Sequence, residues 1–155
     1  MRKRIVPLEQ PAEPEGAWLD LGSLAEVEIS SEDSAYPIES ALVSADGSGW
    51  RASAPGRQQI RLLFAQPQRL TRIRLCFEET SVARSQEYVL RWAPGREQSL
   101  REIVRQQWNF SPDGATEQTE VHHVDLPAVA ILELVIDPDT ERNEAFATLK
   151  SMRVG

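Results

Sequence analysis

From Trp18 to the C-terminus the sequence keeps a two-residue hydrophobic rhythm, and that rhythm is the strongest constraint on what the chain can fold into. Val27 and Ile29 alternate with Glu26 and Glu28. Ile60, Leu62 and Phe64 oppose Arg61, and Ile73, Leu75 and Phe77 oppose Arg72, Arg74 and Cys76. Successive strand side chains point to opposite faces, so each run predicts a half-buried strand. Gln66-Pro67-Gln68 lies between the last two runs and predicts the connection of a hairpin over 59–77, with the proline outside the ladder. Further strands are predicted at 86–92, 101–110, 119–126, 130–137 and 146–154. Their boundaries are Pro94-Gly95, Ser111-Pro112-Asp113-Gly114, Pro127 and Asp137-Pro138-Asp139. The apolar run Ile131 to Ile136 reads as a central strand covered on both faces. One short helix is predicted, with Pro37 in its first turn and Ile38, Ala41 and Leu42 on one face. About eight short strands separated by turns, with almost no helix, argue for an all-β sandwich or jelly roll.

At 155 residues the chain is long enough for one unstapled core, since a domain of this size buries roughly 69% of its unfolded surface. The Pro- and Glu-rich stretch 1–16 has no periodicity and reads as a flexible arm, leaving 17–155 as the domain. Cys76 is the sole cysteine, so no internal disulfide forms, which fits a reducing compartment. The longest apolar stretch, Ala128 to Ile136, is too short for a membrane span and contains Glu133. Met1-Arg2-Lys3-Arg4 is followed by prolines and glutamates where an export signal needs an apolar run. The expectation is a cytoplasmic chain without membrane association, in which the sequon Asn109-Phe110-Ser111 goes unused. No cofactor motif is present.

The order of features resembles a known family. A strand at 25–30 leads into a short helix ending Ala41-Leu42-Val43-Ser44-Ala45-Asp46-Gly47. Gly49-Trp50-Arg51-Ala52-Ser53 follows, then the hairpin, then Arg84-Ser85-Gln86-Glu87-Tyr88-Val89-Leu90, and a last segment Ala147 to Val154. Over 18–155 this is similar to the discoidin, or coagulation-factor C-type, galactose-binding-like domains. The Trp-Arg-Ala-Ser segment also resembles the N-terminal domain of single-strand-break repair scaffold proteins. The resemblance implies an eight-stranded antiparallel jelly-roll β-sandwich that binds a ligand through loops at one end and carries no catalytic machinery.

It also implies site positions. Many members hold calcium beside the helix-to-Trp loop. Asp46 matches one ligand, but the loop is short and Ser151 stands where a glutamate would be, so no tight calcium site is expected. Sugar-binding members grip hydroxyls with loop arginines. Arg84 matches one of these and reads as a donor fork, while the other position falls at Glu78 or Glu79. The loop Thr140 to Phe146 supplies Arg142, Asn143 and an aromatic ring. The expected ligand set is therefore Arg84 with Glu79, Arg142 and Asn143 as polar partners, and Tyr36 as a stacking ring, for a carbohydrate or other small polar ligand.

Other features read structurally. His122 and His123 are strand neighbours facing opposite ways, so they cannot chelate one ion together. No Gly-x-Ser-x-Gly is present, and Glu78/Glu79 and Glu141/Glu144 are pairings that chance provides among 24 carboxylates, so no enzyme is expected. Trp50 and Trp108 read as core. Between Gly47 and Phe77 there are six arginines and no acid, although the whole chain is −7. Arg61, Arg72 and Arg74 share the outward parity of the predicted hairpin and would form a basic strip. Pairing with acids on neighbouring strands is the preferred reading of that strip. The alternative makes it the partner surface of a protein-interaction scaffold. The net negative charge argues against nucleic acid.

Overall fold

The computed structural model describes residues 1–5, 18–43 and 47–155, so most of the predicted arm and Asp46 lie outside the described residues. The elements are α1 (Leu21–Leu24), β1 (Ala25–Ile29), α2 (Glu39–Leu42), β2 (Trp50–Pro55), β3 (Gln58–Glu78), β4 (Arg84–Ala93), β5 (Arg101–Phe110), β6 (Glu117–Asp137), β7 (Phe146–Leu149) and β8 (Ser151–Val154). Every strand pairing is antiparallel. A six-stranded sheet runs β1-β3-β6-β4-β5 with β8 also on β3, and β2 pairs with β7. This is the expected all-β jelly-roll sandwich. Among the described residues no helix is long and apolar enough to cross a membrane.

The predicted hairpin at 59–77 is corrected: β3 is one strand of 21 residues with no turn at Gln66-Pro67-Gln68. Its partner β6 is equally long, and it likewise runs through Pro127 instead of stopping there. Both prolines fall where the β3/β6 register slips, between Leu63↔Ile131 and Leu70↔Leu126. An irregular pairing asks for no N–H at those positions, so proline is tolerated without ending the strand. One end of β3, at Ile60 to Phe64, pairs with β1; the other, at Ile73 to Cys76, pairs with β8. The register slip also changes which parity faces inward, from Ile60, Leu62 and Phe64 to Ile73, Leu75 and Phe77.

The inward residues merge into one core with Leu21, Ile38, Ala41, Leu42, Trp50, Tyr88, Leu90, Leu132, Leu134, Ile136, Leu149 and Met152. Burying each large apolar side chain contributes about 1.5–3 kcal/mol. Helix α2 presents the predicted Ile38, Ala41 and Leu42 to that core, and the Glu32 carboxylate accepts the Ile38 N–H at 2.9 Å. β6 is covered on both faces, as its apolar run predicts: Leu132, Leu134 and Ile136 face the core. On the other side Ile131, Glu133 and Val135 are also buried. The Glu133 side chain is 0% exposed and is held by Arg61 of β3, Nε to Oε2 2.6 Å, and by Arg91 of β4, Nε to Oε1 2.8 Å. Two arginines from flanking strands thus neutralise one carboxylate on the central strand, which is the condition for burying it.

Candidate ligand cleft at the loop end of the sandwich

The 79–85 and 139–146 segments converge on a concave cleft of about 780 Å³. Strand alternation supplies its outer wall. Trp50 is buried, with its indole N–H donating to Ser31 O at 3.1 Å, so the next residue, Arg51, points outward. In β7, Ala147 and Leu149 are buried, which turns Phe146 and Thr148 out. The Arg51 guanidinium lies over the Phe146 ring at 5.2 Å, a cation–π contact that holds a charged donor on one face of a partly exposed ring.

The predicted site residues divide. Glu79, Arg84 and Arg142 line this cleft. Tyr36 lines an adjoining recess of about 280 Å³. Asn143 lines neither and sits against Gly56, where a Cβ would come within 2.5 Å of its Oδ1. Gly56 has φ +87° and donates its N–H to Ala145 O at 3.0 Å, so the β2–β3 turn clamps the 139–146 loop from behind.

Arg84 is not the open donor fork that the sequence suggests. Its side chain is 0% exposed. Nε donates to Glu79 Oε1 at 2.8 Å, and Nη1 donates to Gln86 Oε1 at 3.0 Å and to Pro138 O at 2.7 Å. The guanidinium also lies 4.8 Å over the Phe110 ring. Arg84 therefore braces the two loops from beneath, and Glu79 spends its carboxylate on that brace. Sequence parity cannot distinguish a buried strand-end arginine from a presented one, because neighbouring elements decide which ring and carbonyls lie above it. Arg84 Nη2 is buried with no hydrogen-bond partner among the described residues, and the exposed donors on the cleft are Arg51, read from the sequence as part of the Trp-Arg-Ala-Ser segment and of a charge count, and Arg142 in the loop. Asn109 joins them from β5, accepting from Ser85 Oγ at 2.7 Å. Asp139, Glu141 and Glu144 of the same loop as Arg142 add acceptors, so the wall is mixed in charge.

The basic strip is divided in the structure. Arg61 is committed to Glu133. Arg72 is buried and stacks on Trp18 at 3.6 Å, and Arg74 faces Arg153 across the β3/β8 pair. Arg61 stands on the β1 side of the β3 irregularity, and Arg72 and Arg74 stand on the β8 side. Acidic cross-strand partners are seen at Arg61 and at Arg69, which meets Asp125 at 3.2 Å. Cys76, on the outward parity, is buried and accepts a contact from Thr119 Oγ1 at 3.4 Å. His122 shares a 2.7 Å hydrogen bond with the Tyr88 hydroxyl, and burial lowers its pKa against an opposing contribution from Glu120. Among the described residues no group of three or more His, Cys, Asp or Glu side chains is placed to hold a metal ion.

No protein-family model and no curated protein matches the chain. Solved structures do. A Clostridium perfringens family 32 carbohydrate-binding module, in complex with GalNAc-β-1,3-galactose, superposes with TM-score 0.67 at 13% identity, over 89% of this chain and 99% of that one. A Ruminococcus gnavus GH29 fucosidase matches with TM-score 0.66 at 12% identity over 86% of this chain; the chain spans only 26% of that enzyme's length. XRCC1, in a structure bound to the DNA polymerase β catalytic domain, matches with TM-score 0.61 at 17% identity, over 85% of this chain and 95% of that one. Identities this low speak for architecture alone, and the chain has the discoidin-like β-sandwich fold seen in family 32 carbohydrate-binding modules.

Proposed function

We propose that the chain is a non-catalytic carbohydrate-binding module whose ligand occupies the cleft between the 79–85 and 139–146 loops. The observation that carries this reading is the partly exposed Phe146 ring at the cleft wall, with Arg51 held against one of its faces and the rest of the ring left for a ligand. A pyranose ring offers an apolar C–H face and a rim of hydroxyls. Phe146 takes the first, and Arg51, Arg142 and Asn109 take the second, with Asp139 and Glu144 as acceptors. A wall carrying both signs of charge suits a polyol that donates and accepts. Solved neighbours that are carbohydrate-binding modules support the same role.

A glycan array followed by calorimetric titration tests the proposal. F146A and R142A should each weaken binding about tenfold or more; R142A should leave thermal stability unchanged, because its side chain is exposed, while F146A also removes a ring that is only 36% exposed and its contact with Arg51, and should cost about 1 kcal/mol. An array without a hit, or a hit indifferent to both substitutions, would overturn the site. The scaffold alternative draws support from the XRCC1 match, but with Arg61, Arg72 and Arg74 separated it requires a partner surface other than the predicted strip.

A further inference from the structure

The chain has six phenylalanine and tyrosine residues. Phe64, Phe77, Tyr88 and Phe110 are buried, while Tyr36 is 41% exposed and Phe146 is 36% exposed. Both exposed rings lie at the same end of the sandwich, one in each of two adjoining recesses. A ring left in water forgoes the burial that the other four achieve, and here the two such rings stand in adjoining recesses with shared walls.

Resting on the carbohydrate reading above, we infer that the ligand is an oligosaccharide at least two rings long, laid across both recesses with one aromatic platform under each ring. The larger cleft and the smaller recess share Arg51, Glu79, Ser81 and Thr148 in their walls, so they form one continuous surface. Arg51 stands at the junction. Its backbone N–H donates to Tyr36 O at 3.2 Å, and its guanidinium lies against one face of Phe146. Thr148 is its cross-strand partner, and Phe146 lies two residues away along β7 on the same face, about 7 Å. At about 280 Å³ the Tyr36 recess lies just below the ~300–1,000 Å³ range of small-ligand pockets, which suits one terminal ring and not a further run of chain. Its floor carries Lys150, paired with Glu78 at 2.9 Å, as a donor and acceptor couple for that ring's hydroxyls.

The test compares galactose with GalNAc-β-1,3-galactose, and galacturonic acid with trigalacturonic acid, by calorimetry and amide-shift mapping on wild type, Y36A and F146A. In any series that binds, the oligosaccharide should bind at least tenfold more tightly than its monosaccharide, and it alone should shift the Thr80 and Lys150 amides. Y36A should weaken oligosaccharide binding about tenfold, more than it weakens the monosaccharide; F146A should weaken both. Equal affinities for short and long ligands, or an oligosaccharide indifferent to Y36A, would overturn the two-ring inference and leave the carbohydrate reading standing. Absence of binding across these probes and a glycan array would overturn both.

Discussion

Replacing Arg84 by methionine tests whether this arginine is a brace or a ligand donor. Methionine keeps most of the length and apolar contact of the side chain and removes the guanidinium. Three hydrogen bonds disappear, to Glu79, Gln86 and the Pro138 carbonyl. The Gln86 and Pro138 acceptors are left inside the protein, while Glu79, whose side chain is 20% exposed, regains part of its hydration. Breaking one side of a buried ion pair costs about 3–5 kcal/mol, and rehydration of Glu79 places this case near the lower limit, about 3 kcal/mol. For a domain of this size that corresponds to a fall in Tm of about 6–12 °C. With a urea m-value of about 2 kcal/mol/M the unfolding midpoint should drop by about 1.5 M. Adding E79Q to R84M removes the stranded charge and should recover about 1 kcal/mol. Thermal and urea melts of the three proteins give the answer. R84M within about 0.5 kcal/mol of wild type, combined with loss of glycan binding, would refute the brace and restore Arg84 as a direct ligand contact.

Three further outcomes follow from the same contacts. Glu133→Ala leaves Arg61 and Arg91 facing each other across the central strand and should cost about 2–4 kcal/mol; because both arginines are partly exposed, joint replacement by R61M/E133L/R91M should restore most of it in urea melts. Gly56→Ala places a Cβ 2.5 Å from Asn143 Oδ1 at a positive φ and should cost about 1–2 kcal/mol. N143A should relieve the steric part but not the backbone part, and calorimetry should show weaker ligand binding in G56A, as the 139–146 loop shifts. His122 is held below its ordinary value of 6.5 by burial, so on acidification the unfolded chain takes up a proton before the folded one. Stability should therefore fall as pH drops below about 6.5, and H122Q should show a shallower loss between about pH 7.5 and 5.5 in equilibrium unfolding.

The sequence by itself determined the all-β class, most strand positions, the short α2 helix and the loops that carry the cleft. These follow from local rules. Period-two alternation sets which side chains can be buried together, and Pro, Gly and Asp mark where a ladder must stop. Arg142 and the exposed aromatics Tyr36 and Phe146 were legible for the same reason, since they stand in polar loops or at a strand start. Tertiary structure alone decided three things. Pro67 and Pro127 look like strand ends until β3 and β6 lie side by side, when their register slip excuses both missing N–H groups. Arg61, Arg72 and Arg74 look like one basic strip until Glu133 takes Arg61, Trp18 takes Arg72 and the irregularity of β3 parts them. Arg84 looks like a presented donor until Glu79, Gln86, Pro138 and Phe110 close around it. In each case at least one deciding partner is distant in sequence or supplied by a neighbouring strand, as Pro138 and Phe110 are for Arg84. A charge or a proline announces its chemistry locally, but which groups satisfy it depends on which strands the fold makes neighbours.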